Sequence, residues 1–177
     1  MSALLAQVSY VLTMADIHAF NLHYAQTSPV VRRGRLRMRL AMSFFLAALL
    51  GALGWGAHAG FGFWLTGALI ILFWFAIFPR RLEAMQRGFT ERTYGSGKNL
   101  GLLGPHTVEL TDEGVVERTA VRELKVKWEA VERVAHSEEH LYIWTSGFNA
   151  LVLPKRAFES EDALKAFAAQ AAMKIIK

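Results

Sequence analysis

The sequence has no cysteine, which excludes disulfide bridges, thiol catalysis and cysteine-ligated zinc or iron–sulfur centres. Charge is also missing over a long stretch: from Leu40 to Phe78 there is no Asp, Glu, Lys or Arg across 39 residues. Acidic residues are scarce in the first part, where residues 1–98 carry three against ten Lys/Arg, a net +7. Residues 99–177 carry twelve acids against ten bases, a net −2. The overall +5 therefore comes from bases flanking the apolar stretch. The slightly acidic C-terminal part has no electrostatic footing for nucleic acid, and no nucleic-acid partner is expected. No Ser/His/Asp set and no paired carboxylates stand in a recognisable frame, so no catalytic residue and no cofactor are assigned.

What is present divides into an apolar and a polar half. A chain of 177 residues accommodates one ordinary domain with appendages. Hydrophobic residues make up 53% and are concentrated between Leu40 and Phe78. As one helix that run would reach roughly 58 Å, about twice a hydrocarbon core. Splitting it at His58–Gly62 leaves spans 40–57 and 61–78, each 18 residues and about 27 Å long. Gly60 and Gly62 are expected to reverse the chain there. Trp55 and Trp64 flank the break nearly symmetrically, as indoles at one headgroup layer would.

Arg32, Arg33, Arg35, Arg37 and Arg39 precede the first span, and Arg80, Arg81 and Arg87 follow the second. The intervening turn carries no charge, so the positive-inside rule places both termini in the cytoplasm and the hairpin, 32–79, in the cell (inner) membrane. The alternation of Arg33, Arg35, Arg37 and Arg39 with apolar or small residues also fits a strand. Continuity with a helix from Leu40 favours arginines that snorkel to lipid phosphates. Ala47, Gly51, Ala52, Gly54 and Gly56 allow close helix approach, either inside the hairpin or in a homo-oligomer through Ala47, Gly51 and Gly54.

On the N-terminal side, residues 1–31 read as a short strand, Val8–Thr13, and a helix capped by Asp16 with Ile17, Phe20 and Tyr24 on one face, docking on the soluble domain. Residues 80–99 read as an interfacial helix followed by a glycine-rich linker, "GSGKN". From Thr107 the period becomes two. Strands are expected around Val108–Leu110, Val115–Thr119, Leu124–Trp128, Val131–Val134, Leu141–Trp144 and Leu151–Leu153, with Asp112–Gly114 forming the first turn. Ser160 caps a closing helix with Leu164, Phe167, Ala168, Ala171 and Ile175 on one stripe. The fold class is α+β: a two-helix transmembrane hairpin with a small antiparallel-sheet domain, 100–177, closed by a C-terminal helix.

The segments "DEGVVERT", "KVKWEAVERV" and "HLYIWTSGFNALVLPKRAF", with the terminal helix and two preceding spans, resemble the YcxB-like family of bacterial membrane proteins. The sharpest element is Pro154, Lys155, Arg156, Ala157 and Phe158 after an apolar strand. The resemblance implies a C-terminal region like a pleckstrin-homology fold and implies no activity.

"HSEEH", His136–His140, matches the H-x-x-E-H order of an inverted zinc-protease motif. Such a site needs both histidines on one helix, whereas these fall between two strands, where a polar hairpin turn suffices. Lys155 and Arg156 are candidates for an anionic headgroup or a partner carboxylate. Asp112 and Glu113 occupy the turn expected between the first two strands and oppose phosphate there. The leading expectation is therefore a membrane-anchored binding or regulatory module, not an enzyme. Its partners would be the lipid bilayer and another membrane or cytosolic protein. An anionic-lipid headgroup binder is the alternative, and a hydrolase using His136, Glu139 and His140 the third reading.

Overall fold

The computed structural model describes residues 3–94 and 102–175; between Pro79 and Tyr94 only the side chains of Arg81 and Met85 are described. The glycine-rich linker Gly95–Asn99 thus lies outside the described residues. The chain forms two compact units, Met1–Tyr24 with Thr93–Lys177, and Ala25–Arg92.

The first unit holds two antiparallel sheets and a helix. Strands β1 (Leu4–Leu12), β2 (Gly104–Thr111), β3 (Gly114–Thr119) and β4 (Glu123–Lys127) form one sheet in that order. Strands β5 (Arg133–His136), β6 (His140–Ser146) and β7 (Asn149–Pro154) form the other. Val8, Tyr10 and Leu12 of β1 alternate inward, as do Val108 and Leu110 of β2. The two strands pair with Val8 opposite Val108 and Leu12 opposite Gly104, although residues 13–103 intervene. The N-terminal strand is therefore an integral edge of this sheet and starts at Leu4, earlier than its pattern suggested.

The acidic turn falls at the expected residues, but β1 makes its two strands the second and third of the sheet. Asp112 and Glu113 join β2 to β3, while the connection between the first two strands is the whole apolar segment. Trp128 is likewise not on a strand. It begins a single 3-10 turn, Trp128–Ala130, and its buried indole donates to the Thr111 carbonyl at 2.9 Å.

Leu141, Tyr142, Ile143 and Trp144 are all fully buried, so β6 is covered on both faces. Helix α1 (Met14–Thr27) covers one of them. Phe20 lies 5.8 Å from Tyr142 and 5.5 Å from Trp144, and His23 stacks on Tyr142 at 4.7 Å. The closing helix α4 (Glu161–Ile175) begins as expected, with Ser160 Oγ accepting from Ala163 N at 3.1 Å. Phe167 and Ala171 are its buried stripe, and Phe158 meets Phe167 edge-on at 5.4 Å.

The second unit is a pair of long helices, α2 (Pro29–Gly56) and α3 (Phe61–Tyr94). Ser28 is the N-cap of α2 and Pro29 its first residue, where a missing N–H costs nothing. All five arginines from Arg32 to Arg39 are helical, which settles strand against helix. The expected interfacial segment is continuous with the second span, as one helix running to Tyr94.

The reversal differs from expectation. Neither Gly60 nor Gly62 has positive φ; His58 does, at 48°. Ala59 N bonds Gly54 O at 2.9 Å and His58 N bonds Trp55 O at 3.2 Å. These are the 6→1 and 5→2 bonds of a Schellman motif, with histidine where glycine is usual. Among the small residues, Gly54 is buried against the start of α3. A Cβ there would stand 2.7 Å from the Phe63 ring and 2.9 Å from Trp64, whereas one on Gly51 meets nothing within 4 Å.

Gly54→Ala should therefore lower the stability of the hairpin by about 1–3 kcal/mol, the range for overpacking. Gly51→Ala should be close to neutral, with thermal unfolding in detergent as the measurement. A fragment beginning at residue 102 lacks β1 and α1. It should show little cooperative unfolding by circular dichroism, and a peptide of residues 1–24 added in trans should restore it.

Candidate functional site

The most concentrated polar chemistry in the first unit surrounds Asp16, whose side chain is buried although it carries a charge. Asp16 is not the cap of α1 but its third residue. Its Oδ2 accepts from the backbone N–H of Thr13, just before the helix, at 2.8 Å and from the Thr13 hydroxyl at 2.7 Å, the half of a capping box in which the third helical residue reaches back to the cap N–H, with Asp in place of Glu. The rest of its acceptor capacity goes across the domain. His140 Nε2 lies 2.8 Å from Oδ1, and Arg156 donates Nη1 to Oδ1 at 2.8 Å and Nη2 to Oδ2 at 2.6 Å. The same Nη2 reaches the Val11 carbonyl at 3.1 Å.

Burial alone would raise the Asp16 pKa, but the hydrogen bonds from Arg156, His140 and Thr13 prevail and hold the carboxyl well below its ordinary range. The guanidinium of Arg156 is in turn pushed up by Asp16. Burial, opposed in part by a hydrogen bond with Ser137, raises the Tyr142 phenol beside this cluster.

This geometry places the two candidate cations of the "PKRAF" segment in different roles. Arg156 forms a bidentate bridge that ties α1 to the end of β7. Lys155 is exposed, 4.0 Å from Glu161, and its backbone N–H donates to the Glu139 carbonyl at 2.8 Å. The turn Lys155–Ala157 that positions both is one 3-10 turn directly after Pro154.

The "HSEEH" motif spans the β5–β6 hairpin, closed by Ser137 N to His140 O at 2.8 Å. It is not helical, so His136 and His140 do not share one helical face. His136 is exposed and His140 is buried on Asp16. Among the described residues, no three His, Asp or Glu side chains group to hold a metal ion.

A second buried charge cluster escaped the sequence reading. His106 Nδ1 lies 3.0 Å from Glu117 Oε1, its Nε2 lies 3.2 Å from the Leu102 carbonyl, and Arg122 donates to Glu117 Oε2 at 3.0 Å. Burial would raise Glu117, yet His106 and Arg122 keep its pKa below the ordinary value. Tyr10 stacks on His106 at 5.7 Å, and burial together with Glu117 and Asp16 pushes its phenol far up. The available signal was positional: His106 shares the inward phase of Val108 and Leu110, and Glu117 that of Val115. It becomes legible only once β2 and β3 are registered.

In the second unit, Arg32, Arg33 and Arg37 are exposed, and Arg35 and Arg39 are half-buried. Arg39 donates to the Phe75 carbonyl and lies over the Phe75 ring, 3.4 Å from its centroid. Arg81 is exposed, and the side chain of Arg80 lies outside the described residues. Trp55 is 82% exposed, while Trp64 is half-exposed and donates its indole N–H to the Ala59 carbonyl at 3.1 Å.

The depressed Asp16 pKa gives a signed pH effect. Its unfolded carboxyl titrates near 3.8. The stabilisation is therefore complete above that value and is lost as pH falls through the lower folded one. Asp16→Asn should cost about 3 kcal/mol at neutral pH, at the low end for a buried pair because the Arg156 side chain is half-exposed. Denaturant titrations between pH 7 and 2 should also show a shallower acid loss in that variant.

No curated protein and no solved structure matches the chain. Residues 110–171, which carry His140 and Arg156 but not Asp16, match the family model of YcxB-like protein, and over that region the chain is similar to that family.

Proposed function

We propose that the chain is a two-span integral membrane protein whose first unit is a cytosolic, pleckstrin-homology-like binding or regulatory module for another membrane or cytosolic protein. The observation that carries this reading is the uncovered apolar surface of α2 and α3. Both helices are long and apolar enough to cross a bilayer, with mean hydropathies of 1.6 and 2.2 over their candidate spans. Phe44, Phe45, Leu72 and Phe73 are each at least 65% exposed. At about 25 cal/mol per Å² such side chains strongly favour an apolar surrounding over water.

Topology supports both ends lying on one side. β1 precedes the hairpin and β2 follows it, yet the two are hydrogen-bonded neighbours in one sheet. A sheet cannot be shared across a bilayer, so an even number of crossings is required. The arginines before Leu40 and after Phe78 choose the cytoplasmic side. The pleckstrin-homology-like reading draws on four-stranded and three-stranded antiparallel sheets followed by a closing helix. A protein partner is favoured over a headgroup for this unit, because Arg156 is engaged with Asp16 and Asp112 and Glu113 face outward at the β2–β3 turn. No catalytic role is proposed.

Leu72→Arg places a charge within the second span and should cost about 2.5–3.5 kcal/mol of insertion free energy. The variant should become extractable by alkaline carbonate while the parent chain stays in the pellet. A parent chain released by carbonate, or cleaved in its first unit by protease outside intact cells, would refute the topology. Cross-linking in native membranes should join the first unit to a distinct protein.

A further inference from the structure

The sheet that contains β1 has two edge strands, and they are built differently. The far edge, β4, exposes Glu123, Lys125 and Lys127, the kind of charge that guards an edge against pairing with another strand. β1, Leu4–Leu12, carries no charged residue. In an antiparallel ladder the residues of an edge strand turn their N–H and C=O alternately toward the partner strand and away from it. The Val11 carbonyl accepts from Arg156 and so faces away from β2. With no bulge between Ala6 and Leu12, Gln7 and Ser9 share that orientation. The Ser9 and Thr107 hydroxyls, 3.0 Å apart, fit the close side-chain spacing of a pair without ladder bonds. The backbone groups of Gln7 and Ser9 are thus directed off the sheet, and both residues are exposed.

These groups open into a groove. Residues 6–9 form one wall of a cavity of about 420 Å³, and Ala163, Ala166, Phe167 and Gln170 of α4 form the other. Leu5 continues it on the strand side, and Met173 and Lys174 on the helix side. Leu5 to Ser9 advances about 14 Å and Ala163 to Lys174 about 16 Å, so the groove matches four or five extended residues. Gln170 Oε1 is buried with no hydrogen-bond partner among the described residues, an acceptor that an N–H entering the groove would satisfy. A helix, about 10 Å across, is too wide for this space and has no free backbone groups to offer. A second copy's β1 is itself recessed beside its own α4. An extended segment has the complementary N–H and C=O groups at the spacing of Gln7 and Ser9.

We propose that the first unit captures an extended segment of a partner protein as an added strand on β1, its backbone bonded to Gln7 and Ser9 and its small apolar side chains against Ala163 and Ala166. Glu159 is the charge among the described residues beside residues 6–9, so the segment is neutral or basic. The proposal rests on the protein-binding reading above and names the class of partner.

Amide exchange followed by NMR on the full chain in detergent reads the edge directly. Gln7 and Ser9 should exchange fast in the chain alone, and Val8 and Tyr10, which face β2, slowly. A short synthetic peptide of alternating valine and threonine ending in lysine should slow Gln7 and Ser9 about tenfold or more. The same peptide N-methylated at alternate residues should bind about tenfold more weakly. Gln7→Pro removes an outward N–H where an edge strand tolerates proline, and Ala166→Arg fills the groove from an exposed helix position without touching β1. Each should weaken peptide binding about tenfold with little change in thermal unfolding. Slow exchange at Gln7 and Ser9 in the chain alone would overturn the proposal, because this chain or a second copy would already occupy the edge. So would absence of peptide binding at millimolar concentration, or binding indifferent to N-methylation or to Ala166→Arg. Cross-linking in native membranes separates the two readings: a partner that Ala166→Arg leaves in place defeats the groove alone, and a parent chain joined to no protein defeats the binding-module reading.

Discussion

A helix laid along a strand in matching register holds the first unit together. Four residues of α1 advance about 6 Å, and two residues of β6 advance about 6.8 Å. Asp16, Phe20 and Tyr24 therefore meet His140, Tyr142 and Trp144 in succession. At one end the contact is a buried carboxylate with every partner fixed, and at the other it is aromatic. An unpaired carboxylate at Asp16 would be far more costly than its absence, so the ion pair specifies one docking register while the rings supply most of the apolar burial. Arg156 adds the reach to Val11, which binds the end of β1 to the same point.

The register has a topological consequence. The strand and helix that complete the domain come before the apolar helices, and the remaining strands come after them. The region matching the YcxB-like family supplies His140 and Arg156, and the N-terminal segment supplies the carboxylate they share. The sheet and the ion cluster can form only when the two flanks of the hairpin lie on the same side of any barrier. Folding of the first unit thereby depends on the return of the helical pair: a hairpin that failed to return would leave β2 without β1 and Arg156 without Asp16. Pairing strands across residues 13–103 is also a distant contact, and such contacts form late because chain closure opposes them.

Much of this was legible along the chain, for identifiable reasons. The start of the closing helix at Ser160 follows from capping chemistry that acts over three or four residues, whereas the first long helix starts at Pro29, well before the span expected from Leu40. Strands β1, β2 and β4 follow from two-residue alternation and β6 from a continuous apolar run; the pattern fails at Trp128 because a buried indole that needs an acceptor can be served by a turn as well as by a strand. The chain reversal was placed correctly but assigned to the wrong residues. Glycine is the usual left-handed residue, and here a Schellman motif carries His58 into that conformation instead. At the candidate site, Arg156 looked available because nothing local opposes it; its partner is Asp16, far off in the sequence. His106 and Glu117 looked unremarkable until strand pairing brought them together.

The sequence by itself determined where charge and apolar surface would lie. An uncharged run of 39 residues between basic flanks, an alternating polar half and an amphipathic last helix are properties of short-range composition, and solvation acts on them directly. Only the tertiary structure decided which charges are engaged in the fold, and with what. Arg156 is engaged because a carboxylate from the other end of the chain is buried beside it. Arg39 is engaged because the carbonyl and ring of Phe75 in the second helix lie against it. Coulombic and hydrogen-bond energies depend on distances of a few ångströms, and such distances between remote residues exist only after the chain has folded.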